Sequence, residues 1–354
     1  FHNSVYLYRD TMLGVKGSGM AIIDKKHSGG FSLVELLVAM VIGLIIIGGA
    51  FSMLSTSRDT QKVNESQMDM VADARFAIEL ISYDLRHAGL WGGTNRDGLI
   101  SCKSTDTACV STVSGDTPPT TATNDCAVGA DPEWAFDLSR SIFATDGANP
   151  YASTCISGTE NYVVGTDVLE VHYADANITP TAGLLAGQTY VRSNNISGRI
   201  FVGSVEPVVA SYNSDPITRN HQLHAYAYYI SDYTDAVGDG IPSLRRAALA
   251  NGPSIQNQVL LSGVANLQIQ FGEDVNGDLT VDRYVNPVDV VDWSNVYAAK
   301  IWLVMQSDEQ QIGIDTSKSF EIAGAPATTY GGQSDYRYFM VSSVINLRNL
   351  KQDL

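Results

Sequence analysis

The sequence predicts an α+β protein in which one long amino-terminal helix packs on an antiparallel, β-rich carboxy-terminal domain. Three observations predict it. From Leu36 to Leu54 the chain carries no charge, and a helix of about 20 apolar residues spans a bilayer core. Between Phe31 and His87 there is no proline, and Val71, Ala74, Ile78, Ile81 and Leu85 recur at steps of three and four, the spacing of one helix face. Beyond Val163 the apolar residues fall instead into short, β-branched, partly alternating runs.

The helix, read from Phe31 to about His87, divides into two halves. Residues 31–54 form the half of membrane length, preceded by Lys25, Lys26 and His27, a positive flank of the kind that stays cytoplasmic. Glu35 stands at the lip of the apolar run, where an acid is costly unless paired and therefore marks function. Gly43, Gly48 and Gly49 either weaken this half or let another helix approach. Residues 55–90 form the amphipathic half. A polar neck (Ser55, Arg58, Asp59, Gln61, Lys62) leads into the apolar stripe, and Gly89, Gly92 and Gly93 close the helix. The stripe must be covered, and the sheet that follows in sequence is the candidate. Residues 1–30 precede the helix. The chain opens on Phe, so Met20 is an expected start of translation, which leaves an eleven-residue basic leader ending at Gly30.

Residues 91–160 are rich in Thr, Ser, Gly, Asp and Cys and have little periodicity. They read as a loop-rich insertion, stapled rather than cored. Cys102, Cys109, Cys126 and Cys155 all lie in it, and an even count beyond a membrane span points to disulfides in an oxidising compartment. Three connectivities are open; easy local loop closure favours Cys102–Cys109 with Cys126–Cys155. A zinc site would lack both a C-x₂-C pair and a nearby histidine. Residues 161–354 are the β-rich domain. Its strand signals are Val163–Tyr173, His224–Ile230 (with Tyr226, Tyr228 and Ile230 on one face), Val259–Phe271, Val296–Met305 and Tyr338–Leu347.

Composition excludes some functions. Formal net charge is −16, although Arg9, Lys16, Lys25 and Lys26 all precede Phe31. A surface this acidic repels phosphate backbones, and no Lys/Arg stripe with interleaved aromatics offsets it, so no nucleic-acid partner is expected. His87, His172, His221 and His224 are the candidates for acid–base work, but no nucleophile elbow or ordered triad surrounds them, and the chain reads as a non-enzyme. Calcium is the one cofactor with a pattern behind it. Asp274, Asn276, Asp278, Thr280 and Asp282 place oxygens at alternate loop positions, as an EF-hand-type loop does. Leu279 occupies the sharp-turn glycine position and Val285 that of the bidentate acid, for which Asp282 could substitute. The competing reading, favoured by these departures, is an Asx-rich turn at Asn276-Gly277 between Phe271 and Tyr284. A second acidic turn, Asp235 to Gly240, has poorer spacing, and Arg245-Arg246 reads as a solvated pair.

Gly29-Gly30-Phe31-Ser32-Leu33-Val34-Glu35, set before the apolar run, resembles the class III signal of type IV pilins and pseudopilins. An ordinary secretory signal would place its small-residue cut after that run. The resemblance implies cleavage by prepilin peptidase between Gly30 and Phe31, methylation of the new Phe31 amine, and Glu35 as fifth mature residue, pairing with the Phe31 amine of a neighbouring subunit. Further along come Tyr228-Tyr229-Ile230-Ser231-Asp232, Asp239-Gly240-Ile241-Pro242-Ser243-Leu244-Arg245-Arg246, Phe271-Gly272-Glu273-Asp274, Asp282-Arg283-Tyr284, Asp292-Trp293-Ser294-Asn295-Val296 and Val344-Ile345-Asn346-Leu347-Arg348. In this order they resemble PilW-type minor pilins of the type IVa pilus. That resemblance implies the pilin-like fold, an inner-membrane start with the β-domain in the periplasm, and later incorporation at the pilus tip. It implies as partners other minor pilins, the major pilin, the inner-membrane assembly platform and a tip adhesin, in a complex that primes pilus assembly. The alternatives are a minor pseudopilin of type II secretion, similar to GspJ, and a pilus-borne adhesin.

Overall fold

The computed structural model describes residues 30–106, 109–127, 134–211, 217–310, 316–331 and 336–350; Met20, Lys25, Lys26, His27 and Gly29 lie outside them. The chain divides into two compact units, one ending at Thr60 and one beginning at Gln61. A single helix, α1 (Leu33–His87), supplies the described structure of the first unit and the opening of the second. The helix stops where Gly89 adopts a φ of +75°, a left-handed conformation that favours glycine at this position. In the second unit α1 buries Met70, Ala74, Ala77, Ile81 and Leu85. The buried stripe is thus rotated slightly from the one read in sequence: Met70 and Ala77 take inner places, while Ile78 packs at the margin of the core.

Fourteen strands follow among the described residues. β1 (Ile100–Ser101), β2 (Ile142–Thr145), β3 (Val168–Ala174), β4 (Thr189–Ser193), β5 (Gly198–Val202), β6 (Arg219–Ser231), β7 (Ser243–Ala250) and β8 (Ser254–Ser262) form one sheet. All its pairings are antiparallel except the two-residue β1–β5 contact. β6 is the hub, pairing with β4 along its first residues, with β3 over 223–228 and with β7 over 226–231. The second sheet has the order β10-β9-β11-β14, built from β9 (Val264–Glu273), β10 (Arg283–Val285), β11 (Val296–Gln306) and, after the separate hairpin β12 (Lys318–Phe320) and β13 (Thr328–Tyr330), β14 (Tyr338–Asn346). The single run expected over Val259–Phe271 is two strands. Gly263, at φ +71°, separates them, and a side chain there would collide with the Gln306 carbonyl.

Side chains of β6 alternate between two cores. Tyr226, Tyr228 and Ile230 join Ala74, Ala77, Ile81 and Leu85 of α1, together with Leu267, Ile269 and Phe271 of β9 and Ile301 and Leu303 of β11. Leu223, Ala225, Ala227 and Tyr229 point the other way, against Trp91, Phe136, Tyr151 and Ile156. The segment read as stapled rather than cored therefore packs into a core that it shares with the first sheet. Its few large side chains are too widely spaced to produce a periodic signal.

The two sheets are joined at Asp167. Its N–H donates to the Leu267 carbonyl (2.9 Å), one carboxylate oxygen accepts the Ile269 N–H (2.7 Å), and the other accepts the Gly147 N–H (2.9 Å). Asp167 thus does for the edge of β9 opposite β11 what a neighbouring strand would do. Asp167→Ala strands two amides, and because a buried unsatisfied group costs about 1–3 kcal/mol, the expected loss is about 2–4 kcal/mol by chemical denaturation of residues 61–354. Burial pushes the Asp167 carboxyl up to about 7 from 3.8, against the pull of the Gly147 and Ile269 amides. The folded protein then holds this proton longer than the unfolded chain does, so the group's contribution is fullest below 3.8 and is lost as pH rises to about 7. The stability gap between the wild type and Asp167→Asn is therefore expected to narrow between acid and neutral pH, measured by denaturant midpoints.

Candidate functional site

At the amino end, the helix opens with a reciprocal cap. The Glu35 N–H donates to Ser32 Oγ (3.1 Å), and the Ser32 N–H donates to Glu35 Oε2 (2.9 Å). This is a capping box, which satisfies two of the helix's orphan donors. The S-x-x-E spacing of Ser32 and Glu35 is local in the sequence, but neither the membrane-edge nor the subunit-pairing role expected of Glu35 implies this cap. The box turns the carboxylate back toward the start of the helix, within one residue of the Phe31 nitrogen. Gly30 and Phe31 are exposed, as are nearly all the apolar side chains from Leu33 to Leu54. This stretch is long and apolar enough to cross a membrane. An ideal Cβ placed at Gly43, Gly48 or Gly49 would meet nothing within 4 Å.

At the other end of α1, Asp84 is buried on the sheet. Its carboxylate accepts hydrogen bonds from the Tyr173 hydroxyl (2.6 Å) and the Tyr228 hydroxyl, and Arg246 lies 3.8 Å away. The Arg246 guanidinium also covers the Tyr226 ring at 3.9 Å and donates to Gln258 (2.9 Å). Burial raises the Asp84 carboxyl, while the two tyrosines and Arg246 pull it back. Arg245 is buried as well, paired with Glu160 at 3.1 Å. Arg245-Arg246 is therefore no solvated pair: each arginine meets a carboxylate contributed from elsewhere in the chain. The sequence could not show this, because Asp84 and Glu160 lie far from both arginines.

The second core carries a buried polar group. Glu170 accepts from Trp134 Nε1 (2.9 Å) and from the Tyr151 hydroxyl, with Arg140 at 3.4 Å. His172 is enclosed, its ring nitrogens 2.9 Å from the Arg140 carbonyl and 3.1 Å from that of Trp134; burial pushes the imidazole down to about 4. Cys126 bonds to Cys155 and Cys102 to Cys109, fastening this layer. The other described histidines also have structural partners. His87 meets the Tyr83 carbonyl, His221 the Asp175 carbonyl, and His224 the side chains of Asp175 and Tyr226.

The oxygen-rich loop after β9 is a set of interlocked Asx turns. Asp274 accepts the amides of Asn276, Gly277 and Leu279, and Asp282 those of Val275 and Asn276. Asn276 accepts the Asp278 amide, and Asp278 the Thr280 amide and hydroxyl. Four of the side chains read as calcium ligands, Asp274, Asn276, Asp278 and Asp282, thus accept amides of their own loop, and the fifth, Thr280, donates its hydroxyl to Asp278. Leu279 takes a φ of +67° where a calcium loop has glycine, and among the described residues no group of three or more His, Cys, Asp or Glu is placed to hold a metal.

Residues 227–349 match the family model of the type IV pilus-assembly protein W, and residues 25–51 match the prokaryotic N-terminal methylation motif. The chain is thus similar to PilW-type pilus-assembly proteins over its last third and carries a prepilin-type amino-terminal motif. No curated protein and no solved structure matches the chain. The PilW-type match begins within β6 and ends just past β14, so it takes in the whole second sheet, the Asx turns and both arginines. The methylation-motif match encloses Gly30, Phe31, Ser32 and Glu35. Both matches point to a structural pilin, a non-enzymatic kind of protein.

Replacing Cys126 and Cys155 together by serine is expected to lower the stability of residues 61–354 by about 3 kcal/mol, read from denaturant midpoints, since the bond closes a loop of 29 residues. The Cys102–Cys109 loop spans 7 and should matter less. Calorimetric titration of the same region with calcium should give no saturable heat at millimolar ion.

Proposed function

We propose that this chain is a minor pilin that is cut by prepilin peptidase between Gly30 and Phe31, is held in the inner membrane by residues 31–54 with its β-domain in the periplasm, and takes part in priming type IV pilus assembly within a tip complex of minor pilins. One observation carries the reading: Gly30-Phe31 and Glu35 stand at the head of an uncharged helix, in a chain whose carboxy-terminal region is of the PilW type. The apolar half supports it physically. Among the described residues nothing covers its apolar side chains, which require either lipid or other helices. The PilW-type match favours the pilus over the type II secretion alternative.

In this reading Glu35 has two states. Within the subunit it caps Ser32; in the assembling fibre its carboxylate meets the cleaved amine of a neighbouring Phe31, and in a low-dielectric bundle the attraction is large and an unpaired charge costly. The two roles separate by substitution. Ser32→Ala removes half the cap and keeps the charge, costing about 1 kcal/mol of helix stability, and should assemble. Glu35→Gln keeps a capping oxygen and loses the charge, and should fail in assembly as Glu35→Ala does, with normal processing in both. Immunoblots for processing and recovery of sheared pili read these outcomes. Wild-type piliation by Glu35→Gln would remove the charge-pairing role.

A further inference from the structure

β14 ends the second sheet. It pairs with β11 over nine residues in unbroken register, and among the described residues no strand pairs with its outer edge. The parity of its hydrogen bonds follows from the two ends. The Ser307 N–H donates to the Arg337 carbonyl, and the Leu347 N–H donates to the Tyr297 carbonyl. In an antiparallel ladder alternate residues turn both backbone groups the same way, so the odd-numbered residues of β14 face β11. Met340, Ser342, Val344 and Asn346 turn their N–H and C=O outward. Edge strands are normally blunted by charge, proline, a bulge or short length. Tyr338–Asn346 contains no charged residue, proline or glycine, and it has no register shift. Val344, half exposed, adds an apolar side chain beside the outward amides.

Charge at the strand's ends selects the occupant. In a chain of net charge −16, β14 begins beside the exposed Lys318, which lines a common cavity with Tyr338 and Phe339, and it ends two residues before the exposed Arg348. A second copy pairing in either direction would set cation against cation at both ends. We propose that the outer edge of β14 receives an extended segment of a different subunit, apolar at alternate positions and bearing carboxylates at both ends, by strand addition. The proposal rests on the minor-pilin reading for the source of that segment.

The test uses the full chain in detergent micelles and two synthetic nine-residue peptides of alternating Val and Thr, one with Glu at both ends and one with Lys. The Glu-ended peptide should slow hydrogen exchange at Met340, Ser342 and Val344 and bind about tenfold more tightly than the Lys-ended one, the size expected for two exposed ion pairs replaced by like charges. Ser342→Pro deletes one outward N–H and leaves the β11 ladder intact, so it should lose this protection with an unchanged circular dichroism spectrum. Should that variant misfold, Val344→Lys reads the same edge, and Arg348→Glu should narrow the preference between the peptides. No protection by either peptide, equal binding of the two, or protection of these amides by self-association alone would overturn the proposal. Those results leave the processing and piliation outcomes of Glu35→Gln untouched. A chain that takes the Glu-ended peptide but assembles normally with Glu35→Gln would count against charge-paired assembly alone.

Discussion

The folded region depends on burying β6 on both of its faces. A strand of thirteen residues, most of them buried, needs two separate covers, and different parts of the chain supply them. One face meets α1 and the second sheet, through Tyr226, Tyr228 and Ile230. The other meets the cysteine-bearing segment, through Leu223, Ala225, Ala227 and Tyr229. The small residues on this second face leave room for Trp91, Phe136 and Tyr151. The disulfide between Cys126 and Cys155 then holds together a cover that has little regular structure of its own.

Polar groups buried by this arrangement are placed at its joints. Asp84 fastens α1 to the sheet, Asp167 fastens one sheet to the other, and Glu170 fastens the cysteine-bearing layer to β3. Each is a carboxylate surrounded by donors, as burial of a charge requires. All three have their carboxyls raised by desolvation. They make the contacts specific at a cost in solvation, whereas the apolar cores supply the driving force. The described histidines lie within the same kind of framework, held by carbonyls, carboxylates and rings.

Legibility varied with the range of the interaction. The uncharged run, the proline-free helix, the β6 alternation and the strands over 296–305 and 338–347 could be read directly, because each is a local pattern of side-chain polarity with period 3.6 or 2. β4, β5 and β7 were missed. Their short runs, such as Ser243-Leu244-Arg245-Arg246, carry charges that look solvent-facing until Glu160 and Asp84 are brought beside them. Gly263 was visible in the sequence, but that it divides a run into two strands follows from the nearby Gln306 carbonyl. The capping box of Ser32 and Glu35 was fully local and could have been read.

By itself the sequence determined the parts set by chain-local physics: where a helix can run without interruption, which half of it needs an apolar surround, where an acid stands at its head, and which later stretches alternate as strands. Only the tertiary structure decided what depends on residues far apart in the chain. It rotated the buried stripe to Met70 and Ala77, gave residues 91–160 a core shared with the first sheet, turned the Asp274–Asp282 oxygens inward onto their own amides, and set the outward amides of β14 at the end of a sheet. The physical reason is the same in each case. Burial, pairing and hydrogen-bond satisfaction belong to neighbours in space, and hydrophobic periodicity records only that a face must be covered.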